Sequence, residues 1–185
     1  MANNTTTHSA TPLARDKSHT QVRCLTYTAL FAALITVMTA YICHIPVGVN
    51  GGYVHFGDSL IYLAAVLLPT PYALAAAAIG GGLADLLTAP MWAPATIIIK
   101  MLITIPFTNK KNKIITPWNV IATGIAFLIS GTGYWLAEAI LFGTQAAFFL
   151  SLSGSLVQSG GSAILFIILG VILDKMNFKE RFFSI

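Results

Sequence analysis

Charge is the scarcest resource in this chain: 185 residues carry only ten Lys and Arg and six Asp and Glu, 9% in all, against 56% hydrophobic residues. With a mean hydropathy of +0.79, that balance excludes an ordinary soluble domain and describes an integral membrane protein. Cysteine is almost absent as well. Cys24 and Cys43 fall near opposite ends of one apolar run, so they cannot bridge within the chain. Cys43 beside His44, with His55 later, does not make the four-ligand spacing of a structural metal site. The chain lacks a G-x-x-x-x-G-K-[S/T] loop, which excludes ATP use by that route. It also lacks G-x-S-x-G and any membrane-embedded His, which argues against a serine hydrolase and against an enzyme generally. No cofactor is called for.

What is present is a series of apolar runs. Spans are expected at 22–43, 57–69, 72–88, 92–108, 118–142 and 148–173, an all-α bundle of six transmembrane helices. The second and third are short and are separated by Pro69-Thr70-Pro71, which makes a tight reversal. Five spans result instead if Gly57 to Leu87 bends within the membrane. Residues 1–20, rich in Asn, Thr and Ser, read as a disordered tail ahead of a membrane domain at 21–185. The first apolar run is of full span length without a cleavage site, and is expected to remain as a helix.

Basic residues set the orientation. Arg15, Lys17 and Arg23 precede the first span, Lys110, Lys111 and Lys113 follow the fourth, and Lys175, Lys179 and Arg181 follow the sixth. Six crossings put all three clusters on one side, which the positive-inside rule makes cytoplasmic, so both termini are expected there. The net charge of +4 is then a matter of topology and requires no nucleic acid. The loops at 44–56, 89–92 and 143–147 lie outside and contain no Lys or Arg.

Four ionisable residues, Asp58, Asp85, Lys100 and Glu138, fall inside or against these spans. A charge at the centre of a spanning helix costs about 2.5–3.5 kcal/mol, so each is expected to face a partner, a cavity or a ligand. Asp58 begins the second span and reads as its N-cap. Lys100 either snorkels, pairs with Asp85, or meets a ligand. Helical spacing aligns Gly131, Tyr134, Trp135 and Glu138 on one face, two aromatics and an acid near the outer end, with Glu138 read as a ligand contact. Thr96, Lys100 and Thr104 share a face, as do Gly81, Asp85 and Thr88. Ser155, Gln158, Ser159 and Ser162 form a polar stripe, with Gly154, Gly160 and Gly161 permitting close helix approach. The loop from His44 to Phe56, with Pro46, Asn50-Gly51-Gly52, Tyr53 and His55, reads as a lid over a cavity or as a plain outer connector. Trp92, between Pro90 and Pro94, reads as a membrane-belt anchor or a pocket rim. Ala29 and Ala33 make a small-x-x-x-small pair, extended by Thr36 and Ala40 along nearly the same face.

These pieces carry a family resemblance. Ala29-x-x-x-Ala33, Gly51-Gly52-Tyr53-Val54-His55-Phe56-Gly57-Asp58, the Pro-bounded hairpin, Gly80-Gly81-Gly82-Leu83-Ala84-Asp85, and Ala93-Pro94-Ala95-Thr96 leading to Lys100 resemble the substrate-binding subunit, or S component, of an energy-coupling-factor (ECF) transporter. The resemblance covers about residues 22–175 and is nearest to the hydroxymethylpyrimidine and pyridoxine-type group. It implies a multi-pass protein of a bacterial cytoplasmic membrane that captures a vitamin or related heteroaromatic precursor from outside. The implied partners are a transmembrane coupling protein and two cytosolic ATPases on other chains, with Ala29 and Ala33 as the coupling-protein contact. Substrate contacts are expected among Tyr53, His55, Asp85, Trp92, Lys100, Tyr134, Trp135, Glu138, Gln158 and Ser159. An acid beside Tyr134 and Trp135 suits a flat heteroaromatic ring bearing N–H donors or positive charge, such as a pyridoxine-like, pyrimidine-like or deazapurine-like compound. The rival class is a stand-alone carrier driven by an ion gradient, in which Asp85, Lys100 and Glu138 form a relay. No internal repeat of the kind common in such carriers is visible.

Overall fold

A computed structural model of the chain describes residues 12–42, 44–46, 53–143 and 148–184. Its helices are α1 (Pro12–Val37), α2 (Asp58–Leu67), α3 (Thr70–Thr88), α4 (Ala93–Thr104), α5 (Pro117–Phe142), α6 (Phe148–Lys175) and α7 (Phe178–Ser184). Four helical stretches, Ser18–Ile42, Thr70–Thr88, Pro117–Phe142 and Gly154–Lys175, are long and apolar enough to cross a membrane. Helix α1 begins upstream of the start expected near residue 22. It ends in a π-helical turn, Met38–Ile42. Residues 45–46 and 53–54 pair as two short antiparallel strands, β1 (Ile45–Pro46) and β2 (Tyr53–Val54), which no alternation in so short a stretch announces. Cys43 and Asn50-Gly51-Gly52 lie outside the described residues, as do the side chains of Pro46 and Tyr53.

Helix α2 has ten residues, about 15 Å at 1.5 Å per residue, half of a hydrocarbon core of about 30 Å. All of them except Leu60 are buried. A short helix that is covered on every side belongs to the interior of a bundle rather than to its lipid face. The reversal after it follows from the prolines: Pro69 has the extended ψ of 142°, Pro71 occupies the first turn of α3, and Tyr72 and Ala73 donate their N–H groups back to the Pro69 carbonyl.

Helices α1 and α3 pack closely at Gly80, where a Cβ would meet the Ile35 side chain at 2.7 Å and the Ala32 carbonyl at 2.9 Å. Thr36 fixes the contact by donating to the Ala32 and Gly80 carbonyls, at 2.9 and 3.1 Å. Gly133 on α5 admits Ile99 of α4, and Gly161 on α6 admits the Phe56 ring. Gly154 and Gly160 have open space around them, so the expected close approach on α6 holds for Gly161 and not for those two. An aromatic trio closes the middle of the core. Tyr62 stacks on Phe107 at 4.8 Å between ring centroids, and Phe166 meets both edge-on at 5.8 Å, pairs that stabilise by about 0.5–1.5 kcal/mol each beyond burial.

One end of the bundle is tied by polar side chains to backbone. Asn119, fully buried, accepts from the Thr108 N–H and donates to the Thr108 and Ile114 carbonyls. Asp174 accepts from the N–H groups of Ile114 and Ile115. Asn109 donates to the Leu68 carbonyl at 2.8 Å, and Lys179 of α7 donates to the Asn109 carbonyl at 2.9 Å. The α2–α3 turn, the α4–α5 loop and α7 therefore meet at the same end. At the opposite end, Thr39 and His55 bring the end of α1 against the segment leading into α2.

Candidate functional site

The site is organised by a buried ion pair. Lys100 Nζ lies 2.6 Å from Asp58 Oδ1, and both side chains are fully inaccessible to solvent. Gln158 Nε2 donates to the other carboxylate oxygen at 3.0 Å. One carboxylate thus joins α2, α4 and α6. Asp58 stands in the first turn of α2, where the positive end of the helix dipole favours an anion.

Asp58 and Lys100 both differ from what their sequence settings predict. Asp58 is the first helical residue of α2 and not its N-cap, which is Gly57, and its carboxylate is bonded to Lys100 and Gln158. Lys100 pairs with Asp58 rather than with Asp85, which acts on the lysine only as a weaker, longer-range charge. The lysine stem fits because of Gly81: a Cβ there would meet Lys100 Cγ at 2.8 Å and Thr96 Cγ2 at 3.3 Å. Thr96, Lys100 and Thr104 share the buried face of α4 as their spacing predicts, while Ile98, Leu102 and Ile105 are exposed on the other.

Beside this pair runs an aromatic wall. The Lys100 ammonium sits 5.4 Å from the Tyr134 ring centroid, within cation–π range. The Tyr134 hydroxyl and Thr96 Oγ1 are hydrogen-bonded at 3.0 Å. Trp92 meets Tyr134 edge-on at 6.1 Å and Phe142 at 5.8 Å. Trp92 is only 8% exposed, so it is an interior wall residue and not a belt anchor. Gly131 and Glu138 are buried on the inner face of α5, with Tyr134 and Trp135 partly covered beside them, and Asp85 is buried on α3.

The α6 stripe also faces inward: Ser155, Gln158, Ser159 and Ser162 are all buried. The hydroxyls of Tyr62, Ser130, Ser159 and Ser162 have no hydrogen-bond partner of regular geometry among the described residues, although Tyr62 and Ser159 lie close to one another. Buried hydroxyls of this kind are available to a polar ligand or to water. Tyr62 and Asp58 were not among the expected contacts. Their spacing of four residues on a helix already placed them on one face, and only the apolar run around them hid it.

His55 is likewise buried, 4% exposed. Its Nδ1 accepts from the Gly57 N–H at 3.0 Å and lies 3.4 Å from Thr39 Oγ1, which leaves the ring proton on Nε2. Burial, and then the Lys100 charge, push its pKa from 6.5 down to about 3, against the pull of Asp58. Among the described residues no group of His, Cys, Asp and Glu is arranged to hold a metal ion.

Helix α1 turns Thr28, Ala32, Ile35 and Thr39 inward and leaves Leu25, Ala29, Leu30, Ala33 and Leu34 exposed. The small pair Ala29 and Ala33 is therefore not spent on packing within the chain. The strip does not continue to Thr36 and Ala40 as expected, because Thr36 is bonded to α3 and Ala40 is buried.

Two predictions follow from this geometry. Replacing Lys100 by Met should cost about 3–5 kcal/mol of stability, because Asp58 is left as an uncompensated buried charge. The double variant Lys100→Met with Asp58→Asn should recover most of that loss. Denaturation of the detergent-purified variants measures the coupling, and additive losses would remove the pair from its organising role. The second concerns acid. Below pH 6.5 the unfolded chain gains a proton at His55 that the folded chain refuses until about pH 3, so this group's stabilisation is complete above pH 6.5 and declines as pH falls. His55→Asn retains an acceptor for the N–H two residues on and should lessen the loss between pH 7 and pH 5 by about 1–2 kcal/mol. Parallel melting curves of variant and parent would show no divergence if His55 were exposed.

A family profile described as "ECF-type riboflavin transporter, S component" matches residues 19–175. Among curated proteins, an "Uncharacterized protein in gap 3'region" of Pyrococcus woesei is 38% identical over 63 residues, which is 34% of this chain and 43% of that protein. The chain thus spans under half the length of that relative, and its printed name assigns no activity. The profile covers most of the helical region, including α1 from residue 19 onward, the Asp58–Lys100 pair and the α5–α6 face. The chain is a multi-pass membrane protein and belongs to the ECF-type riboflavin transporter S component family.

Proposed function

We propose that this subunit captures a flat heteroaromatic vitamin or precursor at the end of the bundle where α4 begins and α5 ends. The observation that carries the reading is the wall formed by Trp92 and Tyr134, edge-on at 6.1 Å, beside a lysine already neutralised by Asp58. Because Lys100 is paired, it is a poor anchor for an anionic substrate. Stacking surface and buried hydroxyls favour a neutral or cationic ring with N–H groups. Glu138, on the same face of α5, is proposed as the ring's chief polar contact, with Trp135, Gln158 and Ser159 as further contacts and His55 on the segment leading into α2. Riboflavin, which the family description names, is the first compound to test, followed by pyridoxine and hydroxymethylpyrimidine, the nearer group by resemblance.

The proposed topology has six crossings, with α2 a short interior pass, α4 a short pass with one exposed apolar face, and both termini cytoplasmic. Its support is the meeting of Leu68, Asn109 and Lys179 at the end where the basic residues gather. Uptake would depend on a coupling protein and two ATPases, with the exposed Ala29 and Ala33 as the docking strip.

The proposal makes two predictions. Glu138→Gln keeps size while removing charge, and should weaken ligand binding roughly 10–100-fold, the loss of one charge-assisted hydrogen bond. Calorimetric titration with the three compounds measures it, and unchanged affinity for whichever compound binds would make Glu138 structural. Vesicles containing this chain alone should bind substrate without concentrating it. Ala29→Trp should preserve binding and abolish uptake once the partners are supplied. Gradient-driven accumulation by the chain alone would establish the stand-alone carrier instead.

A further inference from the structure

A second polar site lies at the opposite end of the bundle from the aromatic wall. A cavity of about 110 Å³ is lined by Asn109, Lys111, Asn112, Lys179 and Glu180, far more room than the roughly 10–15 Å³ that a single water requires. It is bounded by the α4–α5 loop on one side and by α7 on the other.

Lys179 gives this cavity its character. As a residue it is only 4% exposed, yet its ammonium, which reaches the cavity, has one hydrogen bond, to the Asn109 carbonyl at 2.9 Å. An ammonium has three donors, so two point to no acceptor among the described residues. Burial pulls its pKa down to about 8, with Asp174 pulling the other way. The Asp174 carboxylate is occupied by the N–H groups of Ile114 and Ile115 and does not form an ion pair with the lysine. Lys111 and Asn112 are exposed at the mouth. With two lysines against the single carboxylate of Glu180, the lining is net positive.

The loop is also held in shape before any ligand arrives. Asn119 bonds both polar groups of Thr108 backbone, Asn109 bonds Leu68, and Asp174 bonds the two residues where the loop returns to α5. A fixed loop, an ammonium with donors to spare on a buried residue and a second lysine at the rim make an anion receptor with little ordering cost.

We infer that this cavity binds a phosphate group, either of an anionic lipid headgroup or free in solution, held between Lys179 and Lys111. The site is independent of the substrate proposed above.

Native mass spectrometry and titration of the purified full chain in detergent would test it, with phosphatidylglycerol, phosphatidylcholine and inorganic phosphate as separate probes. Saturable binding of phosphatidylglycerol in preference to phosphatidylcholine, weakly displaced by inorganic phosphate, identifies a lipid headgroup. Saturable binding of inorganic phosphate that the lipid does not displace identifies a free anion. In either case Lys179→Gln, which retains a donor for the Asn109 carbonyl, should lower affinity by about tenfold or more, and Lys111→Glu by a similar factor. Lys113→Gln, outside the lining, should leave affinity unchanged. Should Lys179→Gln fail to fold, Lys111→Glu decides alone, since its position is exposed. Absence of saturable binding by all three probes, or full affinity in Lys111→Glu, overturns the site.

Discussion

The contact between Lys100 and Asp58 is the constraint around which the other helices are placed. Two opposite charges, fully withdrawn from water at 2.6 Å, can persist in a lipid-embedded bundle only if the surrounding groups satisfy their remaining hydrogen-bonding capacity and hold the geometry. Gln158 meets the second carboxylate oxygen, Tyr134 offers its ring to the ammonium, and Gly81 leaves room for the lysine stem. Four helices besides α2 are thereby positioned by one charge balance: α3 through a missing side chain, α4 through the lysine, α5 through an aromatic face and α6 through an amide.

This arrangement separates structural from recognition chemistry within a few ångströms. The charges that would dominate any ligand contact are already neutralised by one another, so the proposed recognition rests on aromatic surface, buried hydroxyls and Glu138. The buried Trp92–Tyr134–Phe142 group connects the beginning of α4 to the end of α5, making the wall rigid where a flat ring would lie. The exposed face of α1 is remote from this chemistry in kind: it offers Ala29 and Ala33 with leucines on either side, a smooth surface suited to another helix.

Much of this was legible in the sequence because helical spacing carries it. The buried faces of α4, α5 and α6 fall where their period places them, and Pro69 and Pro71 mark the hairpin reversal. The pairing was not legible. Asp58 at the start of an apolar helix has the local signature of a cap, and the lysine that claims it is 42 residues away, a relation set by helix packing and by no local pattern. Asp85, nearer in sequence to Lys100, was the more obvious partner and is the weaker influence. The buried setting of Trp92 and the β1–β2 contact were hidden for the same reason. The outward turn of Ala29 and Ala33 could not be read either, since a small-residue pair serves an internal and an external contact equally well.

The short length of α2 has a consequence for how the chain enters the membrane. As synthesis proceeds, α2 and α3 emerge before α4, so Asp58 reaches the membrane ahead of its lysine, 42 residues downstream. An aspartate at mid-membrane costs about 2.5–3.5 kcal/mol, and ten residues, although almost wholly apolar, do not reach across the hydrocarbon core. The first three helices are therefore not a finished folding unit in lipid. Arrival of α4 supplies the opposite charge and the packing that α2 lacks, so insertion of the hairpin is expected to be coupled to that of the lysine helix.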